Sequence, residues 1–65
     1  MIGKNIRRIR QEKGISQWQL SQSIGLRPGT IMLIEHGTTK PSKQVVKAIA
    51  KALEVPESEI YGGRG

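Results

Sequence analysis

Glycine and proline interrupt this chain so often that no regular element in it can be long. The breaks fall at Gly14, at Gly25, from 37 to 41 and at Pro56, in a chain of 65 residues. Between them, apolar residues recur three or four positions apart, the spacing of a helix face, and no segment alternates like a strand. The chain is predicted to be all-α, a compact five-helix bundle formed by residues 1–61, with 62–65 as a frayed tail.

Capping signals mark the first two predicted helices. Cations in the last turn and then Gly14 end the first helix. Ser16 is a suitable N-cap for the second, and Gln19 stands three residues later, as in a capping box. Gly25 ends that helix. The apolar positions that face inward from this pair are Ile2, Ile6, Ile9, Leu20 and Ile24.

Three more helices are predicted after Gly25. The third runs from about Pro28 to Glu35, because proline suits the first turn of a helix. Pro41 and Ser42 start the fourth helix, and the stretch PESEIYG forms a short closing helix. The inward positions of the third and fourth helices are Ile31, Ile34, Val45, Val46, Ile49, Ala50 and Leu53.

Size and composition exclude several classes of protein. A chain of 65 residues forms one domain and buries only about 60% of its unfolded surface. It contains no cysteine and one histidine, so neither a disulfide nor a structural metal is expected, and no cofactor is implied. No apolar run is long enough for a membrane span or a signal peptide. These features favour an intracellular protein in a reducing compartment.

Charge is unevenly distributed along the chain. The net charge is +6, with five cations in residues 1–13, four lysines and no acid in residues 40–51, and three glutamates in residues 54–59. Separated charge of this kind indicates a polyanionic partner for one face. Solubility alone would also account for a basic balance.

Three stretches of the chain are IRRIRQEKGISQWQLSQSIGL, TIMLIEHGTTKPS and VVKAIAKALEVPESEI, and together they run from about Ile2 to Tyr61. In these stretches the chain resembles the phage-repressor and Cro-like (Xre-type) helix-turn-helix family. The opening MIGKNIRRIRQEKG is also similar to SinR-like repressors. The resemblance implies a helix-turn-helix made by the second and third helices, with the third helix in the major groove of DNA.

The resemblance also assigns roles to individual residues. It implies an ion pair between Arg10 and Glu35, which would fix the angle of the third helix. It implies phosphate contacts by Ser16, Gln17, Gly37, Thr38, Thr39, Lys40 and Lys43. It implies base contacts by Arg27, Pro28, Gly29, Thr30, Met32 and Leu33. It implies a dimer surface at Val55, Pro56, Ile60 and Tyr61.

The outward residues of the third helix depart from the family pattern. Base readers are usually amide, hydroxyl or cationic side chains, and here only Arg27 offers a bidentate donor. Met32 and Leu33 leave three interpretations open: contact with thymine methyl groups, an apolar patch for a protein partner, or inward packing of one of them. Trp18 could cover the core edge, the preferred interpretation, stack at the DNA backbone, or meet a partner.

The leading functional hypothesis is a sequence-specific, double-stranded DNA-binding transcriptional regulator, a repressor. It would act as a homodimer on a two-fold operator with half-sites about 34 Å apart. It would be found in the cytoplasm, associated with the nucleoid. The alternative is a protein-interaction module on the same fold, an antitoxin or partner-binding regulator that uses Met32 and Leu33. An enzyme is not expected, because no catalytic arrangement of side chains is present.

Overall fold

Five helices make up the described part of the chain, residues 2–62 of this computed structural model. They are α1 (Ile2–Glu12), α2 (Gln17–Ile24), α3 (Pro28–Glu35), α4 (Lys43–Leu53) and α5 (Glu57–Ile60). Residues 2–62 contain no strand. The prediction of an all-α, five-helix bundle is confirmed. Of the predicted tail, Gly62 forms part of a turn, and residues 63–65 lie outside the described residues, as does residue 1.

The predicted capping signals account for most helix boundaries. The Ser16 hydroxyl accepts the backbone N–H of Gln19 at 3.0 Å, and the Gln19 side chain accepts the N–H of Ser16 at 2.8 Å, which completes a capping box. Gly25 ends α2 in the left-handed conformation, with φ at 73°. One boundary differs from the prediction. Pro41 lies outside α4, and Ser42 is its N-cap, so the helix begins at Lys43.

The core is aliphatic and draws on every helix. Inward residues of α1 to α4 pack together, and α5 closes the bundle against α1 and α4. Within residues 2–62, every buried side-chain nitrogen or oxygen has a hydrogen-bond partner, so the small core contains no unsatisfied polar side chain. The fully buried apolar residues are Ile6, Ile9, Leu20, Ile31, Ile34, Val46, Ile49, Ala50, Leu53 and Ile60.

Gly3 is the point of closest approach between α1 and α3. A Cβ atom at this position would lie 2.3 Å from the carbonyl oxygen of Ile34 and 2.7 Å from that of Glu35. Only a residue without a side chain lets the start of α1 touch the last carbonyl groups of α3. This contact places the start of α1 against the end of α3, next to the turn that follows it.

The short α5 is fastened to α1 by one side chain. Asn5 donates its amide N–H to the carbonyl oxygen of Ile60 at 3.0 Å. Ile60 itself is fully buried in the core of a single copy, so the prediction that its side chain belongs to a dimer surface is wrong. A helix of four residues shows too little periodicity for the sequence to reveal which side faces inward. The buried Ile60 holds α5 in place, and only its neighbours remain exposed.

Candidate nucleic-acid interface

Helices α2 and α3 form a helix-turn-helix unit. The turn between them is residues 25–27, and the N–H of Leu26 bonds to the carbonyl oxygen of Ser21 at 2.9 Å. Pro28 then occupies the first position of α3, with Arg27 as an extended N-cap residue (φ −77°, ψ 145°). The tight turn and the proline place α3 directly after α2, as the motif requires.

A buried ion pair ties α1 to α3. Arg10 donates from Nε to Oε2 of Glu35 at 2.7 Å and from Nη2 to Oε1 at 3.2 Å, with side-chain exposures of only 10% and 1%. Its Nη1 donates to the carbonyl oxygen of Ile15 at 2.8 Å. The structure thus contains the pair implied by the resemblance. Bidentate geometry leaves little rotational freedom between the two helices.

Gln17 joins this network from α2, which sequence reasoning missed. Its amide nitrogen donates to Oε1 of Glu35 at 3.0 Å, so residues from three helices meet at one carboxylate. This hydrogen bond orients the Gln17 side chain with its NH₂ group towards Glu35. One N–H of that group is used, and the second can donate to another acceptor. A phosphate at the start of α2 would find an amide donor whose orientation is already fixed.

The start of α2 offers backbone donors beside Gln17. The capping box satisfies the N–H groups of Ser16 and Gln19. The first helical bond of α2 runs from the N–H of Leu20 to the carbonyl oxygen of Ser16, so the N–H groups of Gln17 and Trp18 have no acceptor within the helix. Donors in such positions favour an anion. Because the Ser16 hydroxyl already accepts the Gln19 N–H, its role is capping first, and its remaining O–H can still donate outward.

The turn after α3 presents side chains rather than backbone donors. Gly37 has φ at 80°. Its N–H bonds to the carbonyl oxygen of Ile34 at 3.1 Å, and the N–H groups of Thr38 and Thr39 both bond to that of Leu33, at 3.0 and 3.3 Å. These backbone groups are therefore occupied. What remains for a phosphate are exposed hydroxyl and ammonium groups, on Thr38, Thr39, Lys40 and Lys43.

The outward face of α3 is exposed and largely apolar. Met32 and Leu33 are 43% and 40% exposed, which excludes the interpretation that one of them packs inward. Arg27, Pro28 and Gly29 are also exposed, whereas Thr30 is half-buried. All the predicted base-contacting residues except Thr30 are thus exposed.

Trp18 lies at the surface rather than at the core edge. It is 59% exposed, so the preferred interpretation of this residue is wrong. The second position of α2 points away from Leu20 and Ile24, and the inward surface of the helix is already filled by them and by the small, buried Ser21. Trp18 follows Gln17 directly and is therefore next to the predicted phosphate site.

The charge of residues 13–53 favours an anionic partner. Between residues 13 and 53 the chain has one acidic residue, Glu35, and the guanidinium of Arg10 neutralises it. The exposed cations of this region stay available to a polyanion. They are Lys13, Arg27, Lys40, Lys43 and Lys47, whereas the exposed Lys51 lies in the last turn of α4, about two helical turns beyond Lys43.

The predicted dimer surface lies away from α2 and α3. With Ile60 buried, it is reduced to half-buried Val55, exposed Pro56 and Tyr61, which is 48% exposed. α5 packs on α1 and α4. A second copy that bound here would leave the helix-turn-helix unit of each copy uncovered.

Neither a metal site nor a membrane-spanning helix is present in the described residues. From 2 to 62, no group of three or more His, Cys, Asp or Glu side chains is placed to hold a metal ion. No helix in that range has the length and apolar character needed to cross a membrane.

A recess of about 270 Å³ lies between the start of α1 and the turn after α3, lined by Ile2, Gly3, Ile34, Gly37, Thr39, Lys40 and Pro41.

Known proteins match nearly the whole chain. The phage CTXphi transcriptional repressor RstR of Vibrio cholerae is 32% identical over 60 residues, 92% of this chain and 54% of RstR. The transcriptional regulator SlrR of Bacillus subtilis is 39% identical over 62 residues, 94% of this chain and 41% of SlrR. The chain thus spans about half the length, or less, of these curated relatives.

A solved structure shows the same architecture. The restriction-modification controller protein C.AhdI from Aeromonas hydrophila superposes with a TM-score of 0.88 at 29% identity, over 91% of this chain and 89% of that one. The model of the Helix-turn-helix family matches residues 6–60, a range that includes α2, α3 and the Arg10–Glu35 pair. Such domains bind double-stranded DNA. The chain belongs to the helix-turn-helix family of the Xre and Cro/C1 type.

Proposed function

We propose that this chain is a DNA-binding transcriptional regulator, a repressor that binds a two-fold operator as a homodimer. One observation carries the proposal: the network of Arg10, Gln17 and Glu35 holds an exposed α3 against α1 and α2, with cations around it and no free acid nearby. A helix held so firmly and left uncovered is suited to enter the major groove.

The residues have distinct roles in this proposal. Phosphates are bound at the start of α2 and at the turn after α3, by the amide of Gln17 and the side chains of Thr38, Thr39, Lys40 and Lys43. These contacts fix the position of the protein on the duplex, and base edges are read by α3. The protein works in the cytoplasm at the nucleoid, needs no cofactor and catalyses no reaction.

Dimerisation through Val55, Pro56 and Tyr61 completes the proposal. Two copies related by a two-fold axis would place their α3 helices on half-sites about 34 Å apart. A Tyr61→Glu variant introduces two like charges into that contact and should shift the protein towards monomer. Sedimentation velocity at several concentrations measures this, and an unchanged distribution would place the dimer surface elsewhere.

Selection of binders from a random duplex pool at moderate salt tests the function itself. One palindromic motif establishes a sequence-specific dimer. Binding without a motif, falling steeply with salt, would make the protein a backbone binder only. No binding even at low salt would overturn the proposal and favour a protein partner at the apolar face of Met32 and Leu33.

A further inference from the structure

The outward face of α3 is built around one glycine. Gly29, Met32 and Leu33 stand at positions i, i+3 and i+4, so they are neighbours on a single face. A Cβ atom at Gly29 would have no heavy atom within 4 Å, so the surface there is open. The two larger residues are both about two-fifths exposed.

Gly29, Met32 and Leu33 together form an apolar face of α3, called the apolar seat below. Side chains of a helix lean towards its N-terminus and cover the preceding turn. Met32 and Leu33 therefore lean over the turn that contains Gly29, where there is no side chain to compete for space. This face of α3 is therefore apolar and carries no side chain at Gly29. It offers no hydrogen-bond donor or acceptor to a base edge.

Only one feature of the major groove is complementary to such a seat. The groove edges of the base pairs present donors and acceptors, and their single apolar group is the methyl at C5 of a pyrimidine, on thymine or on 5-methylcytosine. We infer that α3 reads pyrimidine C5-methyl groups through Met32 and Leu33, next to a guanine read by Arg27. The inference rests on the proposed function and names the chemistry that the operator must contain.

Arg27 is placed for the guanine contact. It is the N-cap of α3, it is exposed, and its side chain makes no capping hydrogen bond. Its guanidinium is thus free to donate two parallel N–H groups to O6 and N7 of guanine. Arg27 is the only cation at the start of α3. The guanine is therefore expected beside the N-terminal end of the helix, and the contacted methyl groups further along it.

Charge selects DNA over an apolar protein as the occupant of this seat. Arg27 precedes the seat in the chain, and Lys40 and Lys43 follow it, all exposed. The one acid nearby, Glu35, is buried and paired with Arg10. An apolar protein partner would leave these cations without counter-charges, whereas DNA phosphates supply them on both sides of the groove.

The test uses the operator from the pool selection and removes single methyl groups. Each thymine is replaced in turn by deoxyuridine, which lacks only the C5-methyl, and anisotropy of a labelled duplex gives Kd. We expect a loss of about fourfold per contacted methyl. At the same positions, 5-methylcytosine should bind about fourfold more tightly than cytosine.

Variants assign the effect to residues. Leu33→Ala and Met32→Ala should remove the preference for thymine over deoxyuridine while the salt dependence of binding stays that of the parent, because phosphate contacts are unchanged. Lys51→Ala, on the exposed side of α4, is the matched control and should keep the preference. Far-UV circular dichroism confirms that each variant is folded.

The outcomes separate this inference from the proposed function. Equal affinity for every thymine and deoxyuridine duplex, in a protein that still selects a motif, overturns methyl reading and leaves the repressor intact. Binding without any motif also overturns methyl reading. Absence of binding to the whole pool overturns both, because the proposed function fails first.

Discussion

Arg10 and Glu35 share two hydrogen bonds across the interface of α1 and α3, at 2.7 and 3.2 Å, and both side chains are almost fully withdrawn from water. Removing a charged pair from water costs free energy that the attraction between the charges only partly returns. The pair therefore fixes the relative position of α1 and α3 more than it stabilises the fold. It fixes α3 relative to the rest of the bundle, and Gln17 carries the same constraint to α2.

Replacing one member of this pair should be strongly destabilising. Arg10→Met leaves the carboxylate of Glu35 buried with only Gln17 as a donor, and it also frees the carbonyl oxygen of Ile15. We expect a loss of about 3–5 kcal/mol in the free energy of unfolding. Urea denaturation followed by circular dichroism measures it, and an unchanged midpoint would contradict the structural role of the pair.

Removing both members should cost less than removing one. In the double variant Arg10→Met/Glu35→Leu no charge is left buried, and apolar side chains fill the space. Its stability should lie between those of the parent and Arg10→Met, because the penalty of the single variant is mostly that of an unpaired charge. A double variant less stable than Arg10→Met would mean that side-chain packing, and not the unpaired charge, determines the loss of stability.

Local signals made most of the fold predictable. Ser16 with Gln19, Gly25 and Pro28 act through contacts within a few residues, so sequence alone places both ends of α2 and the start of α3. Periodicity of apolar residues likewise identifies the inward faces of long helices. Family resemblance adds the Arg10–Glu35 pair, 25 residues apart in the chain, which no local pattern would give.

Long-range contacts explain the predictions that were wrong or missing. Ile60 lies in a helix of one turn, where no repeat shows that it faces the core. Trp18 was predicted at the core edge, but Leu20 and Ser21 already occupy the inward face of α2 and Trp18 is exposed. Gly3 gave no signal at all, since its role depends on carbonyl groups of α3 that lie more than 30 residues away.

The close approach at Gly3 predicts opposite effects for two glycine substitutions. Gly3→Ala should destabilise the fold by about 1–3 kcal/mol, because its Cβ would overlap the carbonyl oxygens of Ile34 and Glu35. Gly29→Ala, in the first turn of α3 with open space around it, should stabilise by up to about 0.5 kcal/mol, less than at a helix interior. Thermal unfolding of both variants is the measurement. Equal shifts of the same sign would contradict the close contact.

Glu54 is the one described residue other than glycine with a positive φ, at 59°, where it ends α4. This left-handed conformation strains any residue that has a Cβ. Glu54→Gly should therefore raise the free energy of unfolding by about 0.5–1 kcal/mol, after allowing for the greater freedom of glycine in the unfolded chain. Glu54→Gln removes the charge and keeps the strain, so it should not reproduce the gain. If it does, charge rather than backbone conformation is responsible.

The turn after α3 leaves its phosphate contacts to side chains, because its backbone N–H groups bond to carbonyls of α3. Lys40→Gln should therefore weaken binding to all duplexes alike and reduce the slope of log K against log salt by about 0.9 per protomer. Lys51→Gln, in the last turn of α4, carries the same loss of charge at a position remote from that turn and should leave the slope almost unchanged. Titration of one labelled duplex at four salt concentrations compares the three proteins. Equal reductions for both variants would mean that net charge, and not a phosphate seated at the turn, controls binding.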